Sequence, residues 1–167
     1  MSDTSIVNRL VACAAIACLS LPSTSFAGEI VTAARMEQLK SEIPPGGVWR
    51  CDRFDGGELW VALAFGYWLR QNNVSVEIRA GDHCASAAAV AALGGTRLFK
   101  ATRGRLIFHG ADRPLTALEK DLLARTFRYW AVPAESAKRI VDLEPGEVWE
   151  PGGHSISAIA SARKPER

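Results

Sequence analysis

The architecture expected of this chain follows from one stretch, GDHCASAAAVAALGGTRLFKATRGRLIFHGAD, which spans Gly81–Asp112. Its first residues predict a turn from a strand into a helix of small residues, with Asp82 as the N-cap. Ser86 then lies in the first helical turn, close to free backbone N–H groups and the positive end of the helix dipole. The segments TRLFKA and RLIFHG predict a hairpin-like strand pair that ends on His109. A hydroxyl at a helix N-terminus and an imidazole at a strand end are two parts of a nucleophilic acyl-transfer site.

Each of these residues also has a simpler structural interpretation. Ser86 stands in a run of alanines, where a small side chain allows tight helix packing. His109 follows an apolar strand, a position typical of a hydrogen-bonded structural histidine. Cys84 with His109 is a rival nucleophile pair, because a thiolate beside an imidazole is also a nucleophile. Residue types alone leave these alternatives open.

The N-terminus predicts a secretory signal peptide over residues 1–27. A charged residue, Arg9, precedes the apolar run Leu10–Leu21, and the segment ends on Ser25-Phe26-Ala27, a small-residue cleavage site. A membrane anchor would need about 18 or more apolar residues, whereas Pro22 interrupts this run; a lipoprotein signal at Cys13 is another rival. We expect a mature chain of residues 28–167, forming one domain, periplasmic or secreted, with no stable membrane span.

Charge and cysteine content narrow the possible partners. Signal cleavage would leave Cys51 and Cys84, which in an exported protein form one disulfide or remain two thiols. The formal charge is +2 without a basic cluster, so nucleic-acid binding is not expected. A metal site would have to combine Cys84 with His83, His109 and His154, which lack the tight spacing of metal ligands. We therefore expect no metal and no other cofactor.

The remaining pattern alternates helices and strands. That order predicts a single α/β domain with a mostly parallel sheet. The predicted helices cover Gly28–Ser41, Leu59–Leu69, Leu115–Val132, Pro133–Asp142 and Ser155–Ala162; the other predicted strands cover Val48–Cys51, Val74–Ile78 and Glu147–Trp149, and Asp52–Gly57 is predicted as a loop.

Read together, these motifs resemble the superfamily of the Clp protease proteolytic subunit (ClpP) and the crotonases, and above all its exported, ClpP-like periplasmic members. The matching residues are Gly56-Gly57 before an apolar helix, the strand Val74–Ile78, Cys84-Ala-Ser86-Ala87, Gly94-Gly95-Thr-Arg97, and Arg105-Leu-Ile-Phe-His109. The match covers Cys51–Gly110 well and extends more loosely to Ala162. The resemblance implies a spiral of repeated β-β-α units, shortened on its N-terminal side.

The resemblance also implies roles for individual residues. Ser86 corresponds to the nucleophile and His109 to the general base. The backbone N–H of Ala87, with one from Gly56 or Gly57, corresponds to the oxyanion hole. Such donors match the chemistry, since the tetrahedral intermediate of acyl transfer carries a negative oxygen.

The third catalytic position is less well defined. In the resembling family it is an acid before an aromatic residue, which best matches Glu147, with Asp142 and Glu144 as alternatives. The chain also departs from the family pattern where Phe54-Asp55 precedes the diglycine.

Two functions are consistent with this pattern. The first is an exported serine peptidase-like hydrolase acting on a peptide or protein. The second is a catalytically inactive ClpP-like module for peptide binding or assembly. Acyl-CoA chemistry, known from crotonases, is not expected outside the cytoplasm. Because the resembling proteases assemble into rings, a homo-oligomer is expected, with the helix Leu115–Val132 and Trp130 as its surface.

Overall fold

The structure, a computed structural model, describes residues 28–152, which form eight strands and five helices. The predicted signal peptide, the predicted helix Ser155–Ala162 and His154 lie outside the described residues. In chain order the elements are β1 (Glu29–Val31), α1 (Ala33–Glu42), β2 (Val48–Arg50), β3 (Phe54–Gly57), α2 (Leu59–Gln71), β4 (Ser75–Ile78), β5 (His83–Ala85), α3 (Ser86–Ala92), β6 (Leu98–Lys100), β7 (Arg105–His109), α4 (Ala117–Tyr129), α5 (Ala134–Val141) and β8 (Val148–Trp149).

Two sheets organise these elements. One has the order β1-β3-β5-β7-β8 and the other the order β2-β4-β6. All pairs are parallel except β7 with β8. From β1 to β7 the chain changes sheet at every strand, and the units β2-β3-α2, β4-β5-α3 and β6-β7-α4 repeat one pattern. The predicted mostly parallel α/β fold, a spiral of β-β-α units, is confirmed.

The predicted pairing of TRLFKA with RLIFHG is wrong. These segments are β6 and β7, which lie in different sheets, because each pairs in parallel with the strand of the preceding unit. In the register of β7, Cys84 lies opposite Leu106 and Ala85 opposite Ile107. This pairing brings the C-terminal ends of β5 and β7 side by side.

The predicted helix Gly28–Ser41 begins too early. Residues 29–31 form β1, and α1 starts at Ala33, where the Thr32 hydroxyl accepts the N–H of Arg35 at 3.2 Å. The predicted loop Asp52–Gly57 likewise contains β3, which extends the sheet between β1 and β5. Pairing with neighbouring strands overrides the weak strand propensity of these glycine-rich residues.

A disulfide and an aromatic cluster hold the two sheets together. Cys51, which follows β2, is bonded to Cys84 in β5, with 5.4 Å between the Cα atoms, and neither residue is exposed to solvent. Beside Cys51, the buried Trp49 ring packs edge-on against Phe54 and Phe65, at centroid distances of 5.6 and 5.0 Å. The disulfide therefore joins the three-stranded sheet to the five-stranded one within the core.

Two glycines allow the helices to approach closely. A Cβ on Gly94 would lie 2.3 Å from the carbonyl oxygen of Gly66 in α2, and a Cβ on Gly66 would lie 2.5 Å from the Trp130 ring. Trp130 is fully buried, so its predicted place on a self-association surface is wrong. The exposed apolar side chains of α4 are Leu118, Leu122 and Tyr129. No helix within residues 28–152 is long and apolar enough to cross a bilayer.

Candidate active site

Ser86 occupies a strained turn between β5 and α3. Its φ of +55° lies in the left-handed region, which residues with a Cβ rarely adopt. Such strain costs on the order of 1–3 kcal/mol and is concentrated at functional sites. A nucleophile on a sharp strand-to-helix turn presents its hydroxyl to incoming substrate. The serine is half-buried rather than enclosed in the core.

The helix cap differs from the prediction. The N-cap of α3 is Ala85, which makes no side-chain cap bond. Asp82 instead forms ion pairs with Arg53 at 3.4 Å and with Arg79 at 3.7 Å. Asp82 is therefore not the N-cap, because β5 continues to Ala85 and the helix begins later than predicted.

The diglycine lies against Ser86. A Cβ on Gly56 would be 3.0 Å from the Ser86 Cβ and 3.2 Å from its Oγ, so the Gly56 backbone faces the hydroxyl directly. Gly57 faces the other neighbour of β3, since its Cβ would be 2.3 Å from the carbonyl oxygen of Val31. Both glycines have positive φ, +146° and +131°. Any larger residue would push β3 away from Ser86 or from β1.

His109 ends β7 and lines the same cavity as Ser86. The cavity has a volume of about 170 Å³, and its wall includes Gly57 and Ala87 near the serine. Apolar side chains form much of the remaining wall: Leu59, Val90, Phe108, Leu115, Leu123, Ile140 and Leu143. Four of the six residues predicted for catalysis and the oxyanion hole, Ser86, Ala87, His109 and Gly57, thus border one cavity.

The His109 ring is held by a backbone carbonyl. Its Nδ1 lies 2.8 Å from the carbonyl oxygen of Gly110, and because a carbonyl only accepts, Nδ1 carries the proton. In the neutral imidazole, Nε2 is then the acceptor, which is the tautomer a general base requires. Within residues 28–152, no hydrogen bond joins the Ser86 hydroxyl to His109.

Two of the three predicted acids, Glu147 and Asp142, have other partners. The Glu147 carboxylate accepts the N–H of Glu144 at 3.0 Å and makes no hydrogen bond to His109 in the described part of the chain. Its backbone carbonyl accepts the N–H of Gly110, also at 3.0 Å. Asp142 pairs with Lys138 on α5, which lowers the pKa of its carboxyl group. A carboxylate that sequence reasoning did not single out, Asp112, lines the cavity in the loop beyond β7.

The disulfide removes one alternative nucleophile. With its sulfur bonded to Cys51, Cys84 has no thiol to pair with His109. Residues 28–152 also contain no group of three or more His, Cys, Asp or Glu side chains arranged to hold a metal ion. Among the described residues that line the cavity, Ser86 alone carries a hydroxyl group.

Comparison with known proteins identifies the fold. The chain matches no protein-family model and no curated protein sequence. It does resemble the solved structure of a variant of the 1510-N membrane-bound stomatin-specific protease in complex with a substrate peptide, with a TM-score of 0.53 and 17% identity over 69% of this chain. The fold is ClpP-like. The ClpP-like fold of this chain spans 64% of that protease, less than two thirds of its length.

A second structure is of another variant of the same protease. It has a TM-score of 0.49 at 16% identity, over 71% of this chain and 70% of the protease. At these identities the likeness extends to the fold alone, so the chemistry must be argued from the site itself.

Proposed function

We propose that this chain is an exported serine peptidase-like hydrolase in which Ser86 is the nucleophile and His109 the general base. One observation carries the proposal: Ser86 sits on a strained turn, against the bare backbone of Gly56, in a cavity shared with His109. Neither the strain nor the close approach is required by a serine that only packs a helix. Both are expected where a hydroxyl must face a substrate carbonyl.

The proposed acylation uses only groups of this cavity. The Ser86 oxygen adds to the carbonyl carbon of a peptide bond, and its proton passes to Nε2 of His109. The carbonyl electron pair moves to oxygen, where the N–H of Ala87 and one from the diglycine donate hydrogen bonds. When the carbon–nitrogen bond breaks, the leaving amine takes the proton from His109. Water then repeats the sequence on the acyl-enzyme and frees the carboxylic acid.

A peptide substrate and an exported location have separate support. The similar protease structure contains a substrate peptide, and the apolar cavity beside Ser86 offers a place for a side chain next to the cleaved bond. The signal-like segment before Gly28 and the disulfide both favour an oxidising compartment outside the cytoplasm.

Self-association through the exposed apolar side chains of α4 is also part of the proposal. The role of Glu147 as third catalytic residue stays a prediction.

A second function has its own observation. The Ser86 hydroxyl and His109 are not hydrogen-bonded, and His109 Nδ1 is held by a carbonyl rather than a carboxylate. A site that binds a peptide without cleaving it would have this appearance. If the protein is such a module, the wild type and the Ser86→Ala variant should bind peptides equally well, and neither should cleave them.

A fluorophosphonate probe separates the two functions. We expect the purified mature protein to be labelled, Ser86→Ala to abolish labelling, and Ser41→Ala, a change at an exposed serine of α1, to leave it intact. Labelling that survives in Ser86→Ala, or that is absent at every pH, rules out the hydrolase.

A further inference from the structure

Asp55 binds two groups from different parts of the chain. One carboxylate oxygen, Oδ2, accepts the backbone N–H of Gly28 at 2.6 Å, and the other, Oδ1, lies 2.5 Å from Nε2 of His83. Asp55 directly precedes the diglycine in β3, and His83 begins β5, the strand that leads into the nucleophile. This carboxylate therefore connects the residue before β1 with both strands that build the site.

Position 28 accepts only glycine in this arrangement. A Cβ there would lie 2.4 Å from the carbonyl oxygen of Arg53 and 2.4 Å from the Asp55 carboxyl carbon. The next residue, Glu29, is fixed as well, because its N–H donates to the same Arg53 carbonyl at 2.7 Å. The nitrogen of Gly28 is thus positioned at the Asp55 carboxylate by the close packing of Gly28 against Arg53 and by the hydrogen bond from Glu29 to the same carbonyl.

An independent observation leads to the same residue. The sequence predicts signal-peptide cleavage after Ala27, from the residue types at positions 25 and 27, with no reference to the structure. Hydrolysis of the bond between Ala27 and Gly28, by a leader peptidase and water, leaves a carboxylate on Ala27 and an α-amino group on Gly28. That amine has an ordinary pKa of about 7.7–8.0, so it is an ammonium at neutral pH. One amide donor is replaced by a cation with three donors.

We propose that Gly28 is the N-terminus of the processed chain, and that its ammonium binds Asp55 and so positions the diglycine strand against Ser86. Asp55 is then a positioning residue: it acts on the oxyanion donors through β3 and touches no reacting atom. The catalytic half of this inference rests on the proposed hydrolase function. The ion pair itself does not.

The local charges favour this pairing. The neighbouring groups already have partners, since Glu29 pairs with Arg35 at 2.7 Å and Arg53 pairs with Asp82 at 3.4 Å. The hydrogen bond from His83 lowers the pKa of Asp55, partial desolvation opposes this, and the backbone N–H of Gly28 adds to the lowering, which keeps the carboxylate ionised. The Asp55 side chain is 46% exposed, so the effect should have the modest size of a surface ion pair.

The test compares three forms of the mature chain. The first has a free amine on Gly28, released from a fusion cleaved directly before that residue. The second is acetylated there, which keeps one N–H donor and removes the charge. The third retains Ala27. We expect the free-amine form to melt about 2 °C above the other two. At a temperature where all three are folded, we also expect it to react with the fluorophosphonate about threefold faster.

Variants assign these differences to the carboxylate. The differences in melting temperature and in labelling rate should both vanish in Asp55→Asn, which removes the charge. In Asp55→Glu, which keeps the carboxylate, they should be partly retained. In the control Asp121→Asn, which changes an exposed carboxylate on α4, they should persist. N-terminal sequencing of the chain recovered after export of all 167 residues should begin at Gly28.

Three results would overturn the inference: equal melting temperatures for the free and acetylated forms, a difference that persists in Asp55→Asn, or an exported chain that begins elsewhere. If no form reacts with the probe, the hydrolase function fails, while the melting temperatures still decide whether the ammonium binds Asp55. If all forms react at one rate but melt differently, the pair exists and Asp55 has no positioning role.

Discussion

Removal of the Cys51–Cys84 disulfide should destabilise the protein by about 3.7 kcal/mol. The two cysteines are 33 residues apart in sequence. Closing a loop of that length in the unfolded chain removes about 12.5 cal/mol/K of entropy, or about 3.7 kcal/mol at 25 °C. For a domain of this size, that corresponds to a fall of roughly 10–15 °C in Tm. The loop contains β3, α2 and β4, so the bond restricts the segments that must bring the two sheets together.

The measurement is urea denaturation of the wild type and of the double variant Cys51→Ala, Cys84→Ala, each with and without a reductant. Because both cysteines are fully buried, reductant should act only after unfolding. Reductant should therefore lower the apparent stability of the wild type at equilibrium and leave the double variant unchanged. The intact mass of the native protein should show no free thiols. Two free thiols, or a loss below about 1 kcal/mol, would show that this crosslink is not what holds the sheets together.

Three further changes test the site and its support. Gly56→Ala should reduce probe labelling about 100-fold, by displacing the Ser86 hydroxyl and the oxyanion donors, while the far-UV circular dichroism spectrum stays that of the wild type. Gly94→Ala should cost about 3 kcal/mol in urea denaturation, because its Cβ meets the backbone of α2 at 2.3 Å. The hydrogen bond from Arg113 lowers the pKa of Glu119 to about 2, and the hydrogen bonds from Thr116 add to this lowering. The ionised Glu119 therefore stabilises the fold fully above about pH 4.5. Its contribution should be lost progressively as the pH falls towards 2. The stability difference between the wild type and Glu119→Gln, followed by urea denaturation at several pH values, should close over that range.

The sequence predicts where helices and strands occur better than it predicts which strands pair with each other. The helices α2 and α4 are evident from their apolar pattern, α5 from the helix propensity of the residues after Pro133, and the strands around Val76 and Ile107 from their apolar residues. What local pattern does not show is the partner of each strand. Sequential strands usually pair with each other, yet β6 and β7 join different sheets, because each continues the sheet built by the preceding unit.

The shortest elements were also the hardest to predict. β1 has three residues, and β3 has the sequence Phe54-Asp55-Gly56-Gly57, in which two glycines disfavour a strand. Their strand structure comes from pairing with neighbours that are distant in sequence. The sequence carries one signal for the start of α1: Thr32, a residue type favoured at N-caps, directly precedes the alanine pair that opens the helix.

Sequence reasoning predicts several residues that border the cavity, but not the geometry of the cavity. A motif order pointed to Ser86, His109 and the diglycine, whereas the left-handed turn at Ser86 depends on how β5 meets α3. The acid was the least predictable part, because a charged loop residue such as Glu147 can satisfy many partners. Its carboxylate caps a turn at Glu144, and its backbone, rather than its side chain, reaches the residue after His109.

The carbonyl that holds His109 has a consequence for catalysis. Gly110 O fixes the tautomer and the ring orientation, which are two of the tasks of a triad carboxylate. In the proposed mechanism it supplies only a dipole for the third task, the stabilisation of the imidazolium that forms when His109 accepts the Ser86 proton. Charge-assisted hydrogen bonds are roughly twice as strong as neutral ones, so this imidazolium is less stabilised than one paired with a carboxylate. A hydrolase built on this site must therefore obtain more of its rate from Ser86 and the oxyanion donors. The rate of such a hydrolase should therefore be especially sensitive to the positions of Gly56 and Gly57. It should also be sensitive to the proposed Asp55 contact, because that contact positions the strand that carries both glycines.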